Sequence, residues 1–154
     1  MTEKTFVNHP ISERSRRNLL EAMRGEAFAY AKYKLFAKEA RRNGREELAD
    51  LFDKTGDQEF FEHFAEEAEL LGLAGTDEQD LNHAIAGESY EVDTMYKRFS
   101  EQARADGDEI VAHRFEEIRH DEAAHQLAFE EALIKLQTRD RISQTRRAAK
   151  AHDF

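Results

Sequence analysis

Residues 111–136 read VAHRFEEIRHDEAAHQLAFEEALIKL, and this stretch decides the fold. Val111, Phe115, Ile118, Glu122, His125, Phe129, Ala132 and Leu136 follow one another at spacings alternating between four and three, the seam of a helix packed in a bundle. The seam is apolar at both ends and polar in its middle. There Glu122 and His125 stand three residues apart and project from one helix face. A carboxylate on a bundle seam is costly to bury unless it is paired or bound to a cation.

The same pattern extends in the N-terminal direction. Helices are expected over 12–42, 45–71, 80–105 and 108–137, broken at Asn43-Gly44, at the stretch from Gly72 to Asp77, and at Asp106-Gly107. Thr76, Asp77 or Asp80 is suited to cap the third. The other seams are Leu19, Met23, Glu26, Tyr30, Tyr33, Ala37, Ala40; then Leu48, Phe52, Thr55, Glu59, Glu62; then Leu81, Ile85, Glu88, Val92, Met95, Phe99. Each is apolar or aromatic at its ends and carries glutamate near the level of its middle. The fold expected is all-α, a four-helix bundle.

The chain also repeats itself. Arg24-Gly25-Glu26 resembles Ala86-Gly87-Glu88 at an offset of 62, whereas Tyr33, Phe36, Ala40 and Gly44 match Tyr96, Phe99, Ala103 and Gly107 at 63. Phe52 with Phe115 and Glu59 with Glu122 keep the offset of 63. The bundle is therefore two related helix hairpins, and helix three has one extra residue between Glu88 and Tyr96. A single extra residue in a helix is absorbed most cheaply as a π-bulge, so one is expected there.

Composition narrows the chemistry. With no cysteine, the 154-residue chain has no disulfide, thiolate metal site, iron–sulfur cluster or cysteine nucleophile. Its one proline lies near the N-terminus, and the long middle has little to break a helix. A net charge of −10 argues against nucleic acid, and no apolar run is long enough to span a membrane. The first residues lack an apolar signal core, so a cytoplasmic location is expected. Residues 1–11 are expected as an N-terminal extension, 12–137 as the bundle, and 138–154 as a basic tail carrying five Arg or Lys against two Asp. The tail is expected to be solvated and frayed.

Glu26, Glu59, Glu62, Glu88, Glu91 and Glu122 converge on one layer in this reading, and no seam Lys or Arg balances them. Two metal cations would. Oxygen-rich ligation with one imidazole suits iron or manganese better than zinc or copper. Glu91 lies off the strict seam and is brought inward by the bulge.

On Gly25-Glu26 with Tyr33, on Gly87-Glu88-Ser89-Tyr90-Glu91 with Met95-Tyr96, and on Glu122-x-x-His125, the sequence resembles the rubrerythrin family of ferritin-like di-iron proteins over about residues 15–136. The resemblance implies two Fe ions per site. Glu26, Glu88 and Glu91 would be terminal ligands, Glu59 and Glu122 would bridge, and His125 would ligate one iron. It also implies reduction of hydrogen peroxide or, more slowly, dioxygen. Tyr33 and Tyr96, matched across the repeat, would hydrogen-bond a ligand carboxylate or a bound oxygen species. Without cysteine the chain cannot hold the family's rubredoxin centre, so electrons would come from a separate donor such as a rubredoxin-like protein. Ferroxidase or iron handling is the alternative function.

One departure concerns the second helix, where the family's Glu-x-x-His reads Glu59-Phe60-Phe61-Glu62-His63. The family histidine aligns with Glu62, giving a more carboxylate-rich pocket of the symerythrin-like kind. His63 enters only if helix two also bulges. Phe60, Phe61 and Phe64 are expected to pack in the core or a dimer contact, and His83, His113 and His120 to be solvated. A homodimer is expected, with hairpin exchange as an option. In a ferritin-like arrangement residues 72–79 would have to cover roughly 30 Å, against a reach of about 26–29 Å.

Overall fold

The computed structural model describes residues 11–151, with side chains to residue 143. The expected N-terminal extension, apart from Ile11, lies outside the described residues, as do residues 152–154 of the expected basic tail. All described elements are helical. Helix α1 spans Glu13–Arg42. Helix α2 is continuous but composite: Glu46–Gln58, a π-helical turn Glu59–Phe64, then Ala65–Leu71. Helix α3 is composite too: Asp77–Tyr90, a π-helical turn Glu91–Met95, then Tyr96–Asp106. Helix α4 spans Glu109–Ala151. The chain divides after Ala74 into two compact units, each one helix hairpin.

Capping residues set the ends. Ser12 Oγ accepts from the Ser15 N–H at 3.1 Å and starts α1. Thr76 closes a capping box with Gln79 at the start of α3. The two hairpin turns are alike. Gly44 (φ +68°) and Gly107 (φ +85°) take the left-handed conformation that favours glycine. The next N–H returns to the preceding helix, Arg45 to Ala40 O at 2.9 Å and Asp108 to Ala103 O at 2.8 Å.

The repeat seen in the sequence is a repeat of packing. Ala37, Ala40 and Ala49 are buried near the first turn, and Ser100, Ala103 and Ala112, each 63 residues later, near the second. Small side chains there let the paired helices approach closely. Next come matched aromatic triplets. Tyr33, Phe36 and Phe52 have ring centroids 5.4–6.4 Å apart, and Tyr96, Phe99 and Phe115 have theirs 5.6–6.4 Å apart. A carboxylate then ties each pair of helices. Asp53 receives Arg41 at 2.6 Å and Lys34 at 3.1 Å, and hydrogen bonds from these two hold its carboxyl below the ordinary range. Glu116, 63 residues on, accepts from Ser100 Oγ at 2.6 Å, with Arg119 and Arg104 nearby. The serine hydrogen bond first, then the two cations, hold Glu116 low as well.

The π turn expected between Glu88 and Tyr96 is present at Glu91–Met95. Arg119 Nε donates to the Val92 carbonyl in that turn at 2.8 Å, meeting a backbone acceptor where the regular α ladder is interrupted. Two boundaries differ from expectation. Helix α3 starts at Asp77 rather than near 80, because Thr76 provides a complete cap, and this leaves only Gly72–Thr76 between the hairpins. Helix α4 does not end at 137. Residues 138–151 hold neither glycine nor proline, and the helix continues through this basic stretch to Ala151. Phe60, Phe61 and Phe64 do cluster, with centroids 5.0–5.5 Å apart, but Phe61 is 66% exposed and the cluster is no core.

Candidate metal centre

In the first hairpin, α1 presents Glu26, with Met23 buried one turn before it. The π turn of α2 presents Glu59 and His63. His63 Nδ1 lies 2.7 Å from Glu59 Oε2 and 4.0 Å from Glu26 Oε2. The wider π turn carries a residue four positions on to about where a residue three positions on would point in an α-helix. Donor atoms of Glu26, Glu59 and His63 all fall within 4.8 Å of one another.

The second hairpin builds the same group. Helix α3 presents Glu88, and α4 presents Glu122 and His125, here at ordinary α spacing. His125 Nδ1 is 2.7 Å from Glu122 Oε2 and 3.9 Å from Glu88 Oε2. These donors also lie within 4.8 Å of one another. Both imidazoles remain open on one side, 49% exposed at His63 and 58% at His125, while the carboxylates beside them are far more covered.

Electrostatics identify what each group lacks. Burial first, then a hydrogen bond with Glu59 and its charge, push the Glu26 carboxyl up from its ordinary value. Burial, then the Glu122 carboxyl beside it, do the same to Glu88. Two carboxylates this close are held together by a proton or by a cation. Glu88 Oε2 is sealed from solvent with no hydrogen-bond partner, a buried acceptor facing the cluster with nothing to accept from. Carboxylate pairs, one imidazole in each and an orphaned oxygen fit a hard transition metal such as iron.

The other expected site residues fall as follows. Glu91, in the π turn of α3, is raised by burial and then by the Glu122 charge, and it feels His125. Burial, and then the charges of Glu91, Glu122 and Glu88, hold the Tyr96 phenol protonated above its usual range. Tyr33 packs its ring on Phe52 and Phe36, and its Cβ faces Gly56. Glu62 is not brought to the cluster. It is exposed and accepts from Gln58 Nε2 at 3.2 Å, and His63 stands in the place expected for it. The sequence signal for this is a second slip of the repeat: Glu59 and Glu122 are 63 apart, His63 and His125 only 62. Helix α2 thus holds one extra residue between its glutamate and its histidine. Glu67, unforeseen in the sequence, lies near Glu26, adds to the rise of its carboxyl, and has an unpartnered buried Oε2 of its own.

Several known proteins are similar to this chain. The family described as Rubrerythrin matches residues 17–133. A rubrerythrin of Porphyromonas gingivalis is 33% identical over 138 residues, covering 80% of this chain and 68% of its own length. A rubrerythrin of Nitratidesulfovibrio vulgaris is 32% identical over 129 residues, covering 75% of this chain and 67% of its own. A solved nigerythrin in its mixed-valence state aligns over 86% of this chain and 72% of its own, at 28% identity and a TM-score of 0.42. With a family match over most of its length and two glutamate–glutamate–histidine groups on repeated hairpins, this chain belongs to the rubrerythrin family of di-iron proteins.

Proposed function

We propose that the protein is a non-haem di-iron oxidoreductase that reduces hydrogen peroxide, with electrons from a separate donor protein. The observation that carries this reading is the matched pair of Glu–Glu–His groups, each with its donors within 4.8 Å. Glu26, Glu59 and His63 would ligate iron in the first hairpin, and Glu88, Glu122 and His125 in the second, with Glu91 as a further ligand beside Glu88. When bound, the iron pair supplies the two electrons that cleave the O–O bond and the Lewis acidity that stabilises the developing oxide charge.

The remaining chemistry belongs to the chain's own side chains. Reducing peroxide to two waters consumes two protons. Tyr96 keeps its proton at Oη because burial and the surrounding carboxylates disfavour the phenolate.

The test is elemental analysis after anaerobic Fe²⁺ loading and desalting, followed by stopped-flow mixing with peroxide or dioxygen. About two irons per chain and oxidation by peroxide at least tenfold faster than by dioxygen are expected. Two irons that react fastest with dioxygen and are then released as ferric product would instead assign the protein to iron oxidation.

A further inference from the structure

The first hairpin holds a carboxylate that lies outside its Glu–Glu–His group. Glu67 follows His63 by four residues of α2, about 6 Å further along the helix at 1.5 Å per residue. Its charge acts on the Glu26 carboxyl, so it stands near the Glu26–Glu59–His63 group without being one of the three. Glu67 Oε2 is sealed from solvent and has no hydrogen-bond partner. A carboxylate oxygen so placed is costly to keep unless a cation or a donor reaches it.

Glu67 also lines a groove between α1 and α2 that starts where the ligand level ends. Ser15, Asn18, Leu19, Ala22 and Leu70 line it too, with Ser15 and Asn18 exposed and Ala22 one turn before Glu26. Among the described residues that line this groove there is no lysine or arginine to offset the Glu67 charge. The residues 62 positions on line a matching groove in the second hairpin, where the counterpart of Glu67 is Phe129. That groove has aspartates at Asp77 and Asp80, but Lys135 and Arg139 stand with them. The repeat thus accepts an apolar side chain at this position, so packing alone does not call for a carboxylate in the first hairpin.

We propose that Glu67 is a delivery residue for the first hairpin: it takes an incoming ferrous ion from the groove and passes it to Glu26, Glu59 and His63. This rests on the di-iron reading of that group. Glu67 offers hard oxygen to a ferrous ion, and one helical turn separates it from His63. As the one charged side chain among the described residues lining the groove, it also concentrates cations there. Glu67 is no member of the final donor set, so it governs how fast the metal enters and leaves and not how tightly it is held. Loading and release therefore change together when Glu67 is replaced, and their ratio does not.

Anaerobic stopped-flow mixing of metal-free full-length protein with Co²⁺, a coloured stand-in for Fe²⁺, tests this. The loading rate comes from the growth of the cobalt absorbance, the release rate from a chelator chase, and the final content from elemental analysis. Glu67→Gln keeps the shape and removes the charge, and Glu67→Phe copies Phe129 of the second hairpin. Both should load and release about tenfold more slowly or worse, the low end of what focused charge contributes to association, with unchanged final content and affinity. Glu69→Gln removes the same charge from an exposed neighbour and should load at the wild-type rate. Thermal melts of the metal-free variants check folding, and Glu67→Phe should melt no lower than wild type. Loading by Glu67→Gln within twofold of wild type overturns the delivery role and leaves the di-iron reading standing. So does a loss of affinity at an unchanged loading rate, which would make Glu67 a ligand. Wild-type protein that takes up no metal overturns the di-iron reading and the delivery role with it.

Discussion

Replacing His63 and Glu62 one at a time separates the π-turned helix from a regular one. Glu62 is exposed and makes one hydrogen bond, 3.2 Å from the exposed Gln58. Its loss should lie within about 0.5 kcal/mol, the usual range for a surface substitution. For a domain of this size that is at most about 2 °C in Tm. His63 places Nδ1 2.7 Å from Glu59 and 4.0 Å from Glu26, where it would donate directly to a metal in the proposed di-iron site. Removing a group one shell further out typically lowers metal affinity by about 10–100-fold. Loss of a direct ligand should therefore cost at least about 100-fold, or about 2.7 kcal/mol. Anaerobic competition of each variant with a chromophoric chelator for Fe²⁺ measures this. Near wild-type affinity for Glu62→Ala and at least a 100-fold loss for His63→Ala are expected. If Glu62→Ala lost as much as His63→Ala, the π turn would not be the geometry that binds metal.

Three further outcomes follow from the same structure. Deleting Phe61 removes the extra residue of the π turn and leaves Glu59 and His63 at Glu-x-x-His spacing. Circular dichroism and iron content should be retained, whereas deleting Leu51, in the regular part of α2, should abolish both. Ser100→Ala strips the shortest hydrogen bond from the partly buried Glu116 and should cost about 1–3 kcal/mol by urea unfolding, because the carboxylate loses a donor that water does not readily replace. Asp53 and Glu116 are both held below the ordinary carboxylate range, so their stabilisation is present above the unfolded value near pH 4 and is lost as pH falls through the folded values. Metal-free protein should therefore lose Tm steeply below about pH 4, and Arg41→Ala should shift that limb to higher pH, as followed by thermal melts across pH.

Much of this was legible from spacing alone. Seam periodicity located the helices because each buries one stripe, and Asn43-Gly44 and Asp106-Gly107 marked the turns because glycine is favoured in the left-handed step that ends α1 and α3. The offset change from 62 to 63 exposed the π turn at Glu91–Met95, since an inserted residue in a continuous helix has to widen a turn. The end of α4 was not legible. The apolar seam stops at Leu136, but a helix ends on backbone signals, and none occurs before Ala151. Glu62 falls on the seam in place of His63 only when α spacing is continued through a turn that is not α-helical.

The two π turns explain why equivalent halves differ. In the first hairpin the extra residue falls in the second helix, between Glu59 and His63. In the second hairpin it falls in the first helix, between Glu88 and Tyr96. The insertion in α2 carries a histidine, already one residue late, back beside its glutamate. The insertion in α3 instead turns an additional carboxylate, Glu91, into the field of Glu122 and His125. One hairpin thus recovers the common Glu–Glu–His set, and the other adds to it. Such a pair matches in its Glu–Glu–His donors and differs by one carboxylate, Glu91.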